Sequence, residues 1–374
     1  MRVVSPSTRP PHPPMLGGKG AALRRRPALL RSLLVAALAL VGGCRIEIGA
    51  PVTATTTGSE GPRGKVVLYT SAYREVTDGL EALAKQQLPG VELVVFQGGS
   101  EKVAARLDAD LKSGKAGADV LLVSDPFLYR RLKSEKQLLP YASPLATPID
   151  RSLVDLDNAF CAARISTMVI AFHSNKTKAA EVPTSFARLL LDDDAPAKDT
   201  ALGDPLSSGT AFMTAVSVGG GDVSFLGRLR ARGASIAGGN SVVLQKVLAG
   251  ERRFGVVLLE NVLAARARGE PVGFVIPSDG AVVVAGDIAI LADTRNPSAA
   301  RVVVDLVLSP AGQALMRGPA GNMHAVDPRL PPPAGDVPTL AELLQKRPPD
   351  SALLDRVAAD RRAVLDVLER GLAP

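Results

Sequence analysis

The chain has 374 residues, of which 46% are hydrophobic, and this is enough for two packed domains. Its formal net charge is +7, but residues 1–43 hold seven basic residues and no acidic ones, which leaves 37 basic residues against 37 acidic ones in the remainder. Because the body is neutral, its net charge gives no support for a nucleic acid partner.

The basic amino-terminal segment has the pattern of an export signal. Positive residues precede the nine-residue apolar run Leu33–Val41, which is too short for a membrane span of ~20 residues. The sequence Val41-Gly42-Gly43-Cys44 resembles the lipobox of bacterial lipoproteins, in which the cysteine is lipidated and becomes the new amino terminus. We therefore predict a signal peptide at 1–43 and a lipid on Cys44. An ordinary signal peptide and a retained single-pass anchor are the alternatives.

Residues 44–63 are rich in Thr, Gly and Pro and show no helical or strand period, which predicts a flexible tether. Translation starts at either Met1 or Met15, because the segment before the apolar run is long for a signal. Cys161 is the remaining cysteine once Cys44 carries lipid, and its apolar surroundings predict a small buried side chain rather than a nucleophile.

From residue 64 the pattern alternates between strands and helices of about 10 to 15 residues, which predicts βαβ units and a parallel sheet. The first predicted elements are a strand at 65–70, a helix at 74–88, a strand at 91–96, a helix from Ser100 and a strand at 118–125. Apolar runs such as "VLLV" are typical of strands covered on both faces.

A second unit begins near residue 165. Its predicted strands are 165–172, 200–205, 254–260, 272–277 and 286–291, and its predicted helices are 185–191, 209–218, 222–233, 238–250 and 261–269. Two helices broken at Ser309-Pro310 follow, then a Pro-rich stretch at 327–337 and helices near 339–346 and 351–371.

Short polar loops follow the first three predicted strands. In an open α/β sheet, ligands bind at the carboxyl ends of the strands, where free N–H groups at helix starts favour anions. The candidate binding residues on this edge are Ser71, Tyr73, Gly99, Ser100, Ser124 and Asp125. Ser100 and Ser124 have an equal alternative role as helix caps, and for Asp125 the alternative is that it only begins its helix before Pro126.

The stretch "GDPLSSGTAF" at 203–212 predicts a second wall of the same kind. A strand ends near Asp204, small hydroxyl residues and a glycine follow, and an apolar helix begins. Candidate binding residues here are Ser207, Ser208, Gly209 and Thr210. The predicted helix at 238–250 is capped by Asn240 or Ser241, and Glu260 stands at a predicted strand end, where a solvated helix start is the alternative.

Several phrases in this order resemble the two-lobed substrate-binding proteins of ABC importers, in the group that includes ferric-ion-, thiamine-, aminophosphonate- and hexose-phosphate-binding proteins. They include "VVLYTSAYREV", "ADVLLVSDP", "GDPLSSGTAF", "GEPVGFVIPSDGAVVVAGDIAIL" and "GNMHAVDP". The resemblance implies the α/β fold of type II periplasmic binding proteins, in which two crossing strands join two Rossmann-like lobes. We place the crossings near residues 165 and 275, which gives lobe 1 at 64–165 with 277–374 and lobe 2 at 166–276.

The resemblance also implies a function: the lobes close on a ligand in the cleft between them, and an ABC permease with its ATPase accepts it. Ser207–Thr210 with Asn240 and Ser241 then face the candidates of lobe 1. A chain of this family is expected to be a monomer without enzymatic activity or cofactor, anchored by lipid on the periplasmic or extracellular face. A role in feeding a sensor instead of an importer stays open.

The predicted solute is a small anion or zwitterion, such as a phosphorylated sugar or a phosphonate. In the ferric-binding relatives two adjacent tyrosines bind iron, whereas Glu260 and Asn261 stand at those positions here, so ferric iron is the alternative solute and no metal ligand is predicted. An exported hydrolase is a further alternative, although no G-x-S-x-G or H-E-x-x-H motif occurs.

Overall fold

Strand and helix segments alternate through the described chain, as their hydrophobic periods predict. The computed structural model describes residues 61–114 and 117–373. The predicted signal peptide, the lipidation site Cys44 and most of the tether lie outside these residues. The strands are β1 (Gly64–Thr70), β2 (Val91–Gln97), β3 (Val120–Val123), β4 (Leu138–Leu139), β5 (Cys161–His173), β6 (Thr200–Leu202), β7 (Ser235–Ile236), β8 (Phe254–Leu258), β9 (Val272–Val275) and β10 (Val282–Leu291).

The helices cover most of the remaining described residues. They are α1 (Arg74–Gln87), α2 (Ser100–Lys112), α3 (Pro126–Ser134), α4 (Gly209–Gly219), α5 (Phe225–Ala231), α6 (Asn240–Ala249), α7 (Leu259–Ala267), α8 (Pro297–Leu308), α9 (Pro310–Arg317), α10 (Leu340–Lys346), α11 (Ser351–Ala359) and α12 (Arg361–Gly371).

The strands form one mixed sheet in the order β2-β1-β3-β10-β5-β8-β6-β7. β1 pairs in parallel with β2 and β3, and β6 pairs in parallel with β7 and β8. β5 and β10 are long and antiparallel to each other, and they join the two parallel regions. This is the predicted α/β architecture, with two sheet regions connected by two long strands.

Alternating side chains of each strand pack against helices on opposite faces of the sheet. In β1, Val66 and Leu68 pack with α1, α8, α9 and α10, whereas Tyr69 packs with α2 and α3. We call this region lobe 1. In β5, Ile170 packs with α4, α5, α11 and α12, and Val169 packs with α6 and α7, and this region is lobe 2.

The predicted lobe boundaries, 64–165 with 277–374 and 166–276, remain a prediction. Helices α11 and α12 contribute Leu353, Leu354 and Leu368 to the lobe 2 core. The second long strand, β10, begins at Val282, after a turn that Pro277 and Gly280 (φ +96°) form behind β9.

Three local predictions differ from the structure. The single helix predicted at 351–371 is broken at Asp360, whose φ and ψ of −125° and 38° leave the helical region. The helix predicted at 185–191 is a π-helical turn at Ala187–Leu191. Gly239, rather than Asn240 or Ser241, is the N-cap of α6, so the helix begins at Asn240 itself.

The hydroxyl of Tyr129 connects α3 to the centre of the sheet through two hydrogen bonds. It accepts a hydrogen bond from the Val123 amide at 2.9 Å and donates one to the Asp287 carbonyl. Tyr129 is 0% exposed, so the Tyr129→Phe variant leaves two buried backbone groups without this partner. We expect a loss of about 1–3 kcal/mol in the free energy of unfolding, measured by urea denaturation. Tyr141→Phe, which removes a half-buried hydroxyl bonded to Asp305, is the control and should lose less. Equal losses in both variants would contradict this role.

Candidate functional site

The start of α4 lies directly against the loops that follow β2 and β3. A Cβ atom on Gly209 would stand 3.1 Å from the Ser124 carbonyl oxygen, 3.5 Å from the Ser100 Cβ and 3.6 Å from the Asp125 Cβ. Glycine therefore permits this close approach between the lobes. The two walls predicted from sequence face each other across this junction.

Ser71, at the carboxyl end of β1, connects the lobe 1 loops to a buried arginine. Its hydroxyl oxygen accepts hydrogen bonds from the Ser124 amide and from Nη2 of Arg164, both at 3.1 Å. Arg164 lies on β5, is 3% exposed, and also donates through Nη1 to the Ser166 hydroxyl at 3.2 Å. Desolvation lowers the pKa of Arg164, and the nearby Glu260 opposes that shift.

Glu260 is the first residue that lobe 2 adds to this cluster. It lies in the first turn of α7 and is only 3% exposed, so the alternative of a solvated helix start is wrong. Burial raises the pKa of Glu260 to about 7, and hydrogen bonding to Ser166 together with the charge of Arg164 limits the rise. The carboxylate and the guanidinium are thus neighbours that share Ser166.

Tyr73 connects the two lobes at the same place. Its hydroxyl donates to Oδ1 of Asn261, the residue after Glu260, at 2.8 Å. Burial raises the pKa of Tyr73 well above its usual value, and the negative charge of Glu260 raises it further. The phenol therefore stays protonated and acts as a hydrogen-bond donor across the cleft.

Three buried polar atoms of this cluster have no hydrogen-bond partner within the described residues: Ser124 Oγ, Arg164 Nε and Glu260 Oε1. Buried polar atoms are nearly always hydrogen-bonded in folded proteins, so three unpartnered atoms within one cluster need an explanation, and a bound ligand or water is one such explanation. The three atoms offer a hydroxyl, a cationic donor and an acceptor. Polar groups of these kinds are the ones that orient small ligands in binding pockets.

The alternative role of Ser100 and Ser124 as helix N-caps is not what the structure shows. Gly99 is the N-cap of α2 and Ser100 is already helical, while Asp125 rather than Ser124 caps α3. The Asp125 carboxylate accepts from the Phe127 and Leu128 amides, and its second oxygen pairs with Arg361 at 3.3 Å. Asp125 is therefore committed to structural contacts, whereas the hydroxyl of Ser124 has no hydrogen bond in the part of the chain that the structure describes.

On lobe 2, Ser208 and Thr210 form one connected group with Asn240. Ser208 caps α4 by accepting from the Ala211 amide at 3.4 Å, and its hydroxyl lies 3.2 Å from that of Thr210. The Asn240 side-chain amide donates to the Thr210 hydroxyl at 2.9 Å. Ser207 and Ser241 are exposed and lie at the edge of this group.

Sequence reasoning missed Arg164, Ser166 and Asn261. A signal for Arg164 was present, because one arginine interrupts the otherwise small and apolar stretch "AFCAARISTMVIAF", and a buried charge requires partners. The partners come from residues far away in sequence. Gly286 of β10 provides the space, since a Cβ there would lie 2.6 Å from Cγ of Arg164.

The site offers no ready-made metal centre. In residues 61–114 and 117–373, no group of three His, Cys, Asp or Glu side chains is arranged to hold a metal ion. Cys161 is buried and free, as the sequence predicts, and burial raises the pKa of its thiol to about 12.

The fold is that of two-lobed periplasmic binding proteins. AfuA from Actinobacillus pleuropneumoniae, solved with fructose-6-phosphate, is similar with a TM-score of 0.69 and 18% identity over 83% of this chain and 98% of that chain. Iron-bound HitA from Pseudomonas aeruginosa has a TM-score of 0.67 and 19% identity over 82% and 99%, and the periplasmic binding protein P5PA has 0.67 and 21% over 82% and 99%.

Residues 73–314 match the sequence profile of the family described as bacterial extracellular solute-binding protein, and the chain belongs to this family. The suspected relationship is thereby confirmed. A search of the curated proteins gave no match. The family places the protein outside the cytoplasm and makes its ligand a solute, which agrees with the coarser part of the sequence prediction.

Among the described helices, none is by itself long and apolar enough to cross a membrane. Only α8 and α9 together meet the requirement of length and composition, with a bend of 53° between them. Both helices contribute buried side chains to the lobe 1 core.

Proposed function

We propose that the protein is the solute receptor of an ABC importer and that it captures a small anionic or zwitterionic solute, of the phosphorylated sugar or phosphonate type. The observation that carries this proposal is the set of three unpartnered buried atoms on Ser124, Arg164 and Glu260. In this proposal Arg164 and the Ser124 hydroxyl bind the anionic group, and Glu260 accepts from an ammonium or hydroxyl group.

Two contacts between the lobes support a mechanism in which the lobes close on the solute. The contact of Gly209 with lobe 1 and the Tyr73–Asn261 hydrogen bond both join the two lobes at the edges of this cluster. A solute enclosed here is desolvated between preplaced donors, which makes each charge-assisted hydrogen bond worth roughly 1.5–3 kcal/mol. In the proposed cycle, the permease accepts the closed form and releases the solute.

The donor set favours an organic solute over ferric iron. Tyr73 is the one phenol that the described residues bring to the cluster, and its hydroxyl is bonded to Asn261. A hydrolase needs a nucleophile with a base, but the rings of His173 and His324 are engaged with Asn175 and with Thr167 and Pro338. A turnover screen with esters and phosphate monoesters tests the hydrolase alternative, because a receptor leaves its ligand unchanged.

We further propose that the receptor is a monomer, that Cys44 carries a lipid, and that residues 44–63 tether the lobes to the membrane surface. Support comes from the lipobox-like sequence before Cys44 and from the composition of the tether. Intact-mass measurement of the membrane-extracted protein tests the lipid, and a Cys44→Ser variant released into the soluble fraction is the expected result.

Solutes with a phosphoryl or phosphonate group should raise the melting temperature of the purified protein. Fructose-6-phosphate and 2-aminoethylphosphonate are the probes, with fructose and inorganic phosphate as matched controls. A solute at a hundredfold excess over its Kd stabilises the folded state by ~2.7 kcal/mol. The triple variant of Ser207, Ser208 and Thr210 to Ala should abolish this shift, measured by calorimetry.

A parental response in that triple variant would show that the lobe 2 wall is misplaced. Native mass spectrometry of the freshly purified protein addresses solute identity, since a tightly bound solute is retained during purification. A co-purified ion whose mass corresponds to iron, without an organic component, would contradict the proposed solute class.

A further inference from the structure

A cavity lies beside the hinge strands, and Ser124, Arg164 and Glu260 do not line it. It has a volume of about 610 Å³ and is bounded by α3, the segment before β5, β10 and α11. None of the residues predicted to contact the solute in the cleft lines it. A volume of this size accommodates a small organic molecule.

Both lobes contribute to the walls of this hinge cavity. Leu153 and Phe160 come from the lobe 1 side, and Met213 of α4 and Leu354 of α11 come from the lobe 2 core. The wall is therefore largely apolar. Its floor is β10, where Val283, Ala285 and Asp287 line the cavity.

Asp287 is the chemically unusual residue of the hinge cavity. The pairing of β10 with β5 shifts register between Gly286 and Asp287, and such a bulge redirects the side chain that follows it. Asp287 is 4% exposed, and its carboxylate forms no hydrogen bond or ion pair with any residue in the described ranges. Its main-chain carbonyl is occupied by the Tyr129 hydroxyl.

The other charged residues around the hinge cavity already have partners. Arg130 pairs with Asp355 at 2.7 Å, and Lys133 pairs with Asp155 at 2.7 Å. Arg131 pairs with Asp108 outside the cavity at 2.6 Å. Asp287 is thus the cavity carboxylate that, in the described part of the chain, remains without a counter-ion.

A buried carboxylate without a partner is costly, and burial raises the pKa of Asp287 to about 7, although the charge of Arg130 opposes the rise. A bound cation that donates a hydrogen bond offsets this cost. An ion with a hydrocarbon body also buries apolar surface against Phe160, Met213 and Leu354.

We propose that the hinge cavity is a second binding site, which takes a small organic ammonium ion with its charged group at Asp287 and its hydrocarbon part against the apolar wall. The site is separate from the solute cleft and does not depend on the solute proposed for it. A primary amine with a compact ring fits both the volume and the single unpaired charge.

Cyclohexylammonium, with neutral cyclohexanol as its matched control, tests this proposal by isothermal titration calorimetry of the purified protein at pH 8. We expect saturable binding of the amine and at least about tenfold weaker binding of the alcohol, since the alcohol can donate a hydrogen bond to Asp287 but has no positive charge to pair with the carboxylate. Asp287→Asn should weaken amine binding by at least about tenfold. Asp305→Asn, which alters a carboxylate bonded to Tyr141 and Ser143 away from the cavity, should bind as the parent does.

A second variant keeps the test decisive if Asp287→Asn folds poorly. Ala358→Phe fills the cavity from α11 without changing any charge, and it should also abolish amine binding. Amine binding that survives both substitutions, or cyclohexanol that binds as tightly as cyclohexylammonium, would overturn the proposal.

Discussion

Replacement of Arg164 by lysine should weaken solute binding by at least about tenfold, because in the proposed site its Nε donates one charge-assisted hydrogen bond of roughly 1.5–3 kcal/mol to the solute. The guanidinium contacts Ser71 and Ser166, and its Nε has no partner among the described residues, so in the proposed function one group both organises the lobe 1 loops and binds the solute. A lysine ammonium keeps the charge but cannot keep this fork of donors. Calorimetric titration with the solute identified by native mass spectrometry measures the loss.

Arg317→Lys is the matched control for this experiment. Arg317, the last residue of α9, also has a buried Nε that no described residue contacts by a hydrogen bond, but it lies outside the cluster. Parental affinity in Arg317→Lys and a large loss in Arg164→Lys would separate solute binding from a general effect of arginine removal. If Arg164→Lys binds the solute as tightly as the parent, the arginine has no part in recognition and the proposed site is wrong.

Sequence periodicity predicts well those elements in which the spacing of apolar residues within the element itself determines which side chains are buried. β1, α1, β2 and α2 appear within about two residues of their predicted bounds, because apolar residues at strand or helix spacing meet one layer of neighbours. The break at Asp360 was not predicted. Side chains on both sides of it pack on the lobe 2 core, and that packing selects the change of direction.

The candidate site was predicted in its outline and missed at its centre. Loops after parallel strands lie at one edge of a sheet, so the strand order alone made Ser71, Tyr73 and Ser124 candidates, and their role in binding stays a prediction. Arg164 lies within a strand that continues from one lobe to the other, and its role depends on Glu260, almost a hundred residues later. Such a pairing follows from the tertiary fold and has no local sequence pattern.

Raising the pH from 5 to 8 should destabilise the protein, and Glu260→Gln should remove part of that effect. The pKa of Glu260 rises from 4.5 to about 7 on folding because its carboxylate is desolvated. The folded state therefore binds this proton more tightly than the unfolded state does. The stability contributed by the protonated group is full below about pH 4.5, declines as the pH rises to about 7 and is lost above it.

The size of the effect follows from the shift. A rise in the pKa from 4.5 to about 7 corresponds to roughly 3 kcal/mol, so Glu260→Gln should unfold at a higher urea concentration than the parent at pH 8, with little difference at pH 4.5. Asp287 contributes a decline in the same direction because burial also raises its pKa to about 7. Asp287→Asn therefore removes a separate share of the pH dependence, and the double variant should show the flattest profile.

A structural role alone does not account for a carboxylate that destabilises the folded state at neutral pH. If Glu260 accepts a hydrogen bond from the solute, Glu260→Gln should gain stability without ligand and lose solute affinity by at least about tenfold. Asp287→Asn, which lies outside the cleft, should gain stability and keep the parental solute affinity. If the Glu260→Gln variant is more stable and still binds the solute like the parent, Glu260 does not contact the solute. Its burial would then be unrelated to solute binding.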